Sequence, residues 1–289
     1  MSTAPRVATI LALGLSAACG TRSAGRDVPH VAVRLDTDPG VSGLSVDEDG
    51  TLWAVSERAR FVYRVGLDGA VERHAIEGVP EGYDLESITP MTTGGFAVGT
   101  EGPAGRDDAR VLRILPSGDG AYRVDETAPQ RPFIAESSAN RGVEGLCASG
   151  DTVIAAFELA VDKDGARLGQ LVVAEAGEQQ LFHVALTSET GKLADIACAF
   201  RDDRVDVLAI ERHYEVSRVV SFTIPRKTAP AGPLRASVVL DLTAFAAGRN
   251  FEGIARLSDG RLAIVNDNQQ REIVGPTELL LLPAPSPPP

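Results

Sequence analysis

Histidine, cysteine and tryptophan are scarce in this chain: four, three and one among 289 residues. With no histidine pair or cysteine pair to offer, the sequence points away from zinc, and any bound cation is expected to be held by oxygen alone. Positive charge is short as well. Lys and Arg number 28 against 40 Asp and Glu, a net charge of -12. Such a polyanion is repelled by phosphate backbones and has no basic stripe to offset that, which excludes nucleic acid as a partner. The same field favours cations and cationic ligands. Long apolar runs are missing after Ala18, so no later segment is long enough to span a bilayer as a helix.

What remains is ordinary globular material, 44% hydrophobic and 24% charged, enough for one large core or two small ones. The N-terminus stands apart. Arg6 precedes an apolar run from Val7 to Ala18 that ends in Ser16-Ala17-Ala18-Cys19-Gly20, the pattern of a secretory leader. Two fates are open: cleavage after Ala18, or lipidation of Cys19, since Leu15-Ser16-Ala17-Ala18-Cys19 resembles a bacterial lipobox with Ser16 where leucine is usual. Residues 1–19 are thus expected to be a leader and 20–29 a linker. The folded domain is expected over 30–282, and the proline-rich tail 283–289 is expected to be disordered. The expected location is the periplasm or the outer membrane, with membrane contact through a lipid only. Cys147 and Cys198 are permitted a disulfide in that compartment, but the expectation is two small, unbonded core residues.

Internal repetition decides the fold. Five segments share one shape: an acidic or small residue, an apolar strand, a tight turn, a second apolar strand, then an acid. They run from Ser42 to Glu57, Glu86 to Glu101, Glu144 to Glu158, Asp195 to Glu211 and Glu252 to Asp267. Turns such as Glu48-Asp49-Gly50 and Ser258-Asp259-Gly260 fall at the midpoints, the signature of hairpins. Further strand-like runs follow each hairpin, and the first two strands of a unit are apolar on both faces, as sandwiched sheets require. The expectation is an all-β propeller of five four-stranded blades, or six if a long interval holds a degenerate one. One strand is left over at each end, His30–Leu35 and Thr277–Leu282. Pairing them would close the ring and protect an edge. The chain is expected to be a monomer.

In an antiparallel hairpin, the start of the first strand lies beside the end of the second. Glu86 and Glu101, Glu144 and Glu158, Asp195 and Glu211, and Glu252 and Asp267 should therefore meet in pairs at one mouth of the channel, with Glu57 beside Ser42. Carboxylates that close must share protons, bind a cation or pair with basic residues. Arg58, Arg141, Arg212, His213 and Arg249 are adjacent in sequence to these acids and supply the third option. Some of the acids are alternatively ties to backbone amides of neighbouring blades. For the ring as a whole, a cation is expected, calcium ahead of magnesium, held by Glu86, Glu101, Glu144, Glu158, Asp195, Glu252 and Asp267. Glu211, Arg212 and His213 are the candidate catalytic group, His213 being the acid–base candidate.

The blocks Asp84–Ile88, Asn140–Leu146, Leu208–Arg212, Asn250–Ile254 and Val265–Asn268, with the closing run Thr277–Leu282, resemble the family called "esterase-like activity of phytase". The resemblance runs in order from about Gly40 to Leu282, and neighbouring SdiA-regulated and gluconolactonase-like propellers share the Glu-Gly-Ile/Leu habit. It implies an exported propeller, often a bacterial lipoprotein, acting as a phosphoesterase or esterase on a small anionic ester. Glu86, Glu144, Glu211, Arg212, Glu252 and Asp267 match its blocks. Ser42 in the first repeat and Asp195-Ile196 in the fourth depart from them. The alternative is a non-catalytic binding or scaffold propeller of the cell envelope.

Overall fold

A computed structural model describes residues 30–103, 108–128, 133–136, 141–213, 215–227, 230–268 and 275–285. The segments expected as a leader, with its Cys19, and as a linker lie outside them, as do the last residues of the expected tail. The strands range from two to twelve residues and are rich in aliphatic side chains; Gly50 and Gly260 take φ of 82° and 86° in two of the hairpin turns, where a Cβ would be strained.

Five blades form in chain order. Blade 1 holds β2 (Val41–Val46), β3 (Leu52–Ser56), β4 (Phe61–Val65) and β5 (Val71–Glu77); blade 2 holds β6 (Asp84–Pro90), β7 (Phe96–Glu101), β8 (Val111–Gly118) and β9 (Ala121–Val124). Blade 3 follows with β10 (Val143–Ser149), β11 (Thr152–Lys163), β12 (Ala166–Glu175) and β13 (Glu178–Ala185). Blade 4 contains β14 (Lys192–Phe200), β15 (Arg204–His213), β16 (Val216–Pro225) and, after the short β17 (Leu234–Arg235), β18 (Ser237–Asp241). Blade 5 is β19 (Asn250–Arg256), β20 (Leu262–Asp267) and β21 (Glu278–Leu282), completed by β1 (Val31–Arg34) from the other end of the chain. Val31 pairs with Leu281 and Arg34 with Glu278, so the expected closure is present.

The inner strands form the ring. β2 packs on β6, β6 on β10, β10 on β14, β14 on β19, and β19 back on β2. Between the blades lie buried aliphatic clusters, such as Ile154, Leu171, Ile196 and Val207 between blades 3 and 4. Two outer-edge links were not visible as strand signals: β5 pairs in parallel with β9, fusing blades 1 and 2, and β17 pairs in parallel with β13, tying blade 4 to blade 3.

Cys147 and Cys198 are joined by a disulfide, which corrects the expectation of two unbonded thiols. They sit on β10 and β14, packed side by side with Cα atoms 6.0 Å apart. Inner strands of adjacent blades touch through side chains, not ladder hydrogen bonds, so strand pairing in the sequence could not reveal that proximity.

Candidate functional site

Every inner strand carries a one-residue bulge at the same depth. The register slips between Val41 and Leu44, Leu85 and Ser87, Val143 and Gly145, Leu193 and Asp195, and Phe251 and Gly253. A bulge leaves its extra residue outside the ladder and re-aims its side chain. The bulged residues in blades 2, 3 and 5 are Glu86, Glu144 and Glu252, all buried. In blade 1 the place is taken by Ser42, whose hydroxyl donates to Glu86 Oε2 at 3.0 Å.

The residue after the bulge meets the next blade. A Cβ on Gly43 would stand 2.5 Å from Ser87 Cα, one on Gly145 2.8 Å from the Ile196 amide nitrogen, and one on Gly253 2.7 Å from the Ser42 carbonyl. Where this place is not glycine, the side chain binds the neighbour: Ser87 Oγ donates to the Val143 carbonyl at 2.8 Å.

Blade 4 corrects the sequence alignment by one position at each end. Its bulged residue is Ala194, and Asp195 occupies the glycine place. The buried Asp195 carboxylate accepts from the amides of Ile254 (2.7 Å), Ile196 (2.8 Å) and Leu44 (3.4 Å), tying together blades 4, 5 and 1. Burial pushes its carboxyl well above the usual range against those three amides. On the second strand, Glu211 opposes Leu193, and Arg212 opposes Lys192. Glu211 is buried facing the loop before β14, where it accepts from the Thr187 amide (3.0 Å), Thr187 Oγ1 (2.6 Å) and Ser188 Oγ (2.6 Å). Arg212 thus stands where the other blades place Glu57, Glu101, Glu158 and Asp267.

The mouth is an acid ring with cations set into one side. Glu57, Glu252 and Asp267 each offer an oxygen within 4.8 Å of the others, and so do Glu57, Asp84 and Glu86. Glu57 is shared by both trios; it and Asp84 complete groupings for which the sequence had supplied only Glu86, Glu252 and Asp267. Asn250 Nδ2 donates to Glu252 Oε1 (2.7 Å) and to Asp267 Oδ2 (3.3 Å). Toward blades 3 and 4, Lys192 pairs with Glu158 and Arg212 with Glu252. Burial, with the charges of Glu158 and Asp84, raises Glu101 to about 7. Glu144 is raised to about 8 by burial, with Lys192 opposing and Glu158 adding. Glu86 is driven well above the usual range by burial, then by Glu144, Glu57 and Glu101. Burial also lowers the Arg212 pKa, against the surrounding Glu144, Glu158, Asp267 and Glu86.

Beside this ring, between blades 3, 4 and 5, opens a cavity of about 600 Å³ whose wall includes Lys192, Arg212, His213, Arg249 and Asn250. His213 is exposed there. The candidate catalytic group is therefore divided: Arg212 and His213 face a ligand-sized space, and Glu211 faces the neighbouring loop.

No curated protein matches the chain. Among solved structures, a thermostable family-43 glycoside hydrolase is similar at 11% identity and a TM-score of 0.55, over 88% of this chain and 97% of its own. Looser likeness extends to a gluconolactonase from Xanthomonas campestris (16% identity, TM-score 0.47, 86% of this chain and 74% of that one). It extends also to the PQQ-bound aldose sugar dehydrogenase from Streptomyces coelicolor (14% identity, TM-score 0.46, 88% and 98%). At such identities the likeness concerns the fold alone. The phytase-like family, described as "Esterase-like activity of phytase", is matched over residues 38–270, from blade 1 through β20 with every carboxylate of the ring, and the chain belongs to that family.

Proposed function

We propose that the protein is a hydrolase of small anionic esters or phosphoesters, assisted by a divalent cation at the mouth, calcium ahead of magnesium. The observation that carries this reading is the convergence of Glu57, Glu252 and Asp267 from two blades beside a cavity walled by arginines. A hard cation takes oxygen ligands of this kind. Bound there, it would polarise an ester and lower the pKa of a water. Arg212 and Arg249 would hold the anionic group, and His213 would carry the proton. The same reading takes the protein as exported, with Cys19 as its lipid attachment.

The test is a calcium titration of chelator-stripped protein followed by thermal unfolding. Stabilisation grows as RT ln(1 + [L]/Kd), so a micromolar site at millimolar calcium adds about 4 kcal/mol. A shift that disappears in the Glu57→Gln/Asp267→Asn variant supports the reading and directs an ester and phosphoester screen. Silence toward calcium, magnesium and manganese sinks it. A second reading, a non-catalytic envelope propeller, is favoured by the Arg212–Glu252 and Lys192–Glu158 pairs, which already neutralise part of the ring.

A further inference from the structure

The cavity beside the mouth reverses the sign of the molecule. The chain carries a net charge of -12, yet the cavity wall holds Arg141, Arg167, Lys192, Arg212 and Arg249 against two carboxylates, Glu158 and Glu215. The acids that pair with Arg212 and Arg249, namely Glu252 and Glu278, are not part of the wall.

Several of these cations are held from behind. Arg249 spends Nε on Glu278 (2.7 Å) and Nη1 on the Phe245 carbonyl (3.0 Å), which leaves its Nη2. Arg167 spends Nε on the Gly191 carbonyl (3.1 Å) and Nη1 on Asp162 (3.0 Å), with the same remainder. Arg212 Nε is buried and has no acceptor among the described residues. The Arg141 guanidinium, exposed at the rim, has no ion-pair partner among them. Anchored as they are, the Arg249 and Arg167 guanidinium groups lose little freedom on binding, whereas Arg141 offers its whole fork, and the planar fork matches tetrahedral oxyanions in either case. Thr190 and Ser217 add hydroxyls to the wall. The volume, about 600 Å³, is that of a small-molecule site.

We propose that this cavity binds a small ligand through a doubly charged oxyanion of the phosphate or phosphonate type, with Arg141 at the rim joining Arg249 and Arg212 as its contacts. The proposal rests on the hydrolase reading for the use made of the anion, not for its binding. It also orders the mouth: the anion lies on the blade 3 to blade 5 side, and Arg212 is the wall between it and the acid ring.

Calorimetric titration of the protein with inorganic phosphate, phenylphosphonate and benzenesulfonate, all in chelator, tests it without requiring a cation or turnover. Phosphate and phenylphosphonate should bind saturably at millimolar concentration or below, and the singly charged sulfonate at least tenfold more weakly. Arg141→Gln, at an exposed position, should weaken phenylphosphonate about tenfold with unfolding unchanged; Arg249→Gln should do so at least as strongly. Absence of saturable binding overturns the proposal, and so does binding that both variants leave intact, since the anion would then sit elsewhere. A failed calcium titration with phosphate binding preserved would remove the metal-assisted reading and leave the cavity.

Discussion

Single carboxyl groups at the mouth carry a pH signature. Glu101 and Glu144 are raised from 4.5 to about 7 and about 8. Between pH about 4.5 and 8 the folded protein therefore holds protons that the unfolded chain has released, and stability must fall as pH rises through that window. The acids lowered by hydrogen bonds, such as Asp38, Asp241 and Asp259, act with the opposite sign and only at more acid pH. Chelator-stripped protein is expected to be most heat-stable near pH 5 and to lose several degrees by pH 8, with a flatter profile in Glu101→Gln and Glu144→Gln. A melting temperature rising across that range would show that these groups are ionised in the fold. The sequence made the identity of most mouth acids legible, because they recur at hairpin ends. Asp195 and Glu211 mislead because acids mark this place in most of the other repeats, whereas the bulged residue in blade 4 is Ala194 and the mouth residue is Arg212. Glu57 lay in view in the first repeat, but its partnership with blades 2 and 5 needed the ring.

Among the elements, the hairpins were legible from alternating apolar runs and Asp/Gly turns, and the bulges were not. A bulge changes pairing without changing composition, so Glu86, Glu144 and Glu252 stand out in the sequence as acids that open repeats but not as residues outside the ladder. The two parallel edge pairings are each two residues long, Ile76 with Tyr122 and Glu77 with Arg123 in one, Val184 with Leu234 and Ala185 with Arg235 in the other. Ladders that short leave no periodic trace. The β10–β14 disulfide makes an element-scale prediction. It closes a sequence separation of 51 residues, for which chain entropy gives about 4 kcal/mol. Cys147→Ser/Cys198→Ser is expected to lose about 2 to 4 kcal/mol in urea unfolding while keeping its strand signal. A loss below about 0.5 kcal/mol would mean that the aliphatic seam between blades 3 and 4 suffices.

At the scale of the molecule, five blades and a shared last blade were both legible, since the repeat count left one unpaired strand at each end. β1 is mostly exposed, so it contributes little packing; what it does is cover the edge of β21. Removing residues up to Arg34 is expected to lower the melting temperature by only a few degrees and to produce dimers or larger species in light scattering. A truncated protein that stays monomeric at unchanged stability would show that β21 needs no cover.

That closure also makes the starting point of the chain arbitrary. Val31 lies opposite Leu281, so the segments entering and leaving the ring emerge side by side. A short linker between them, with a new break at a surface turn such as Ser149-Gly150-Asp151 in blade 3, would give a circular permutant with the same ring and the same mouth. Blade 5 would then become continuous and another blade would be stitched from both ends, so the location of the stitch belongs to the gene order and not to the architecture.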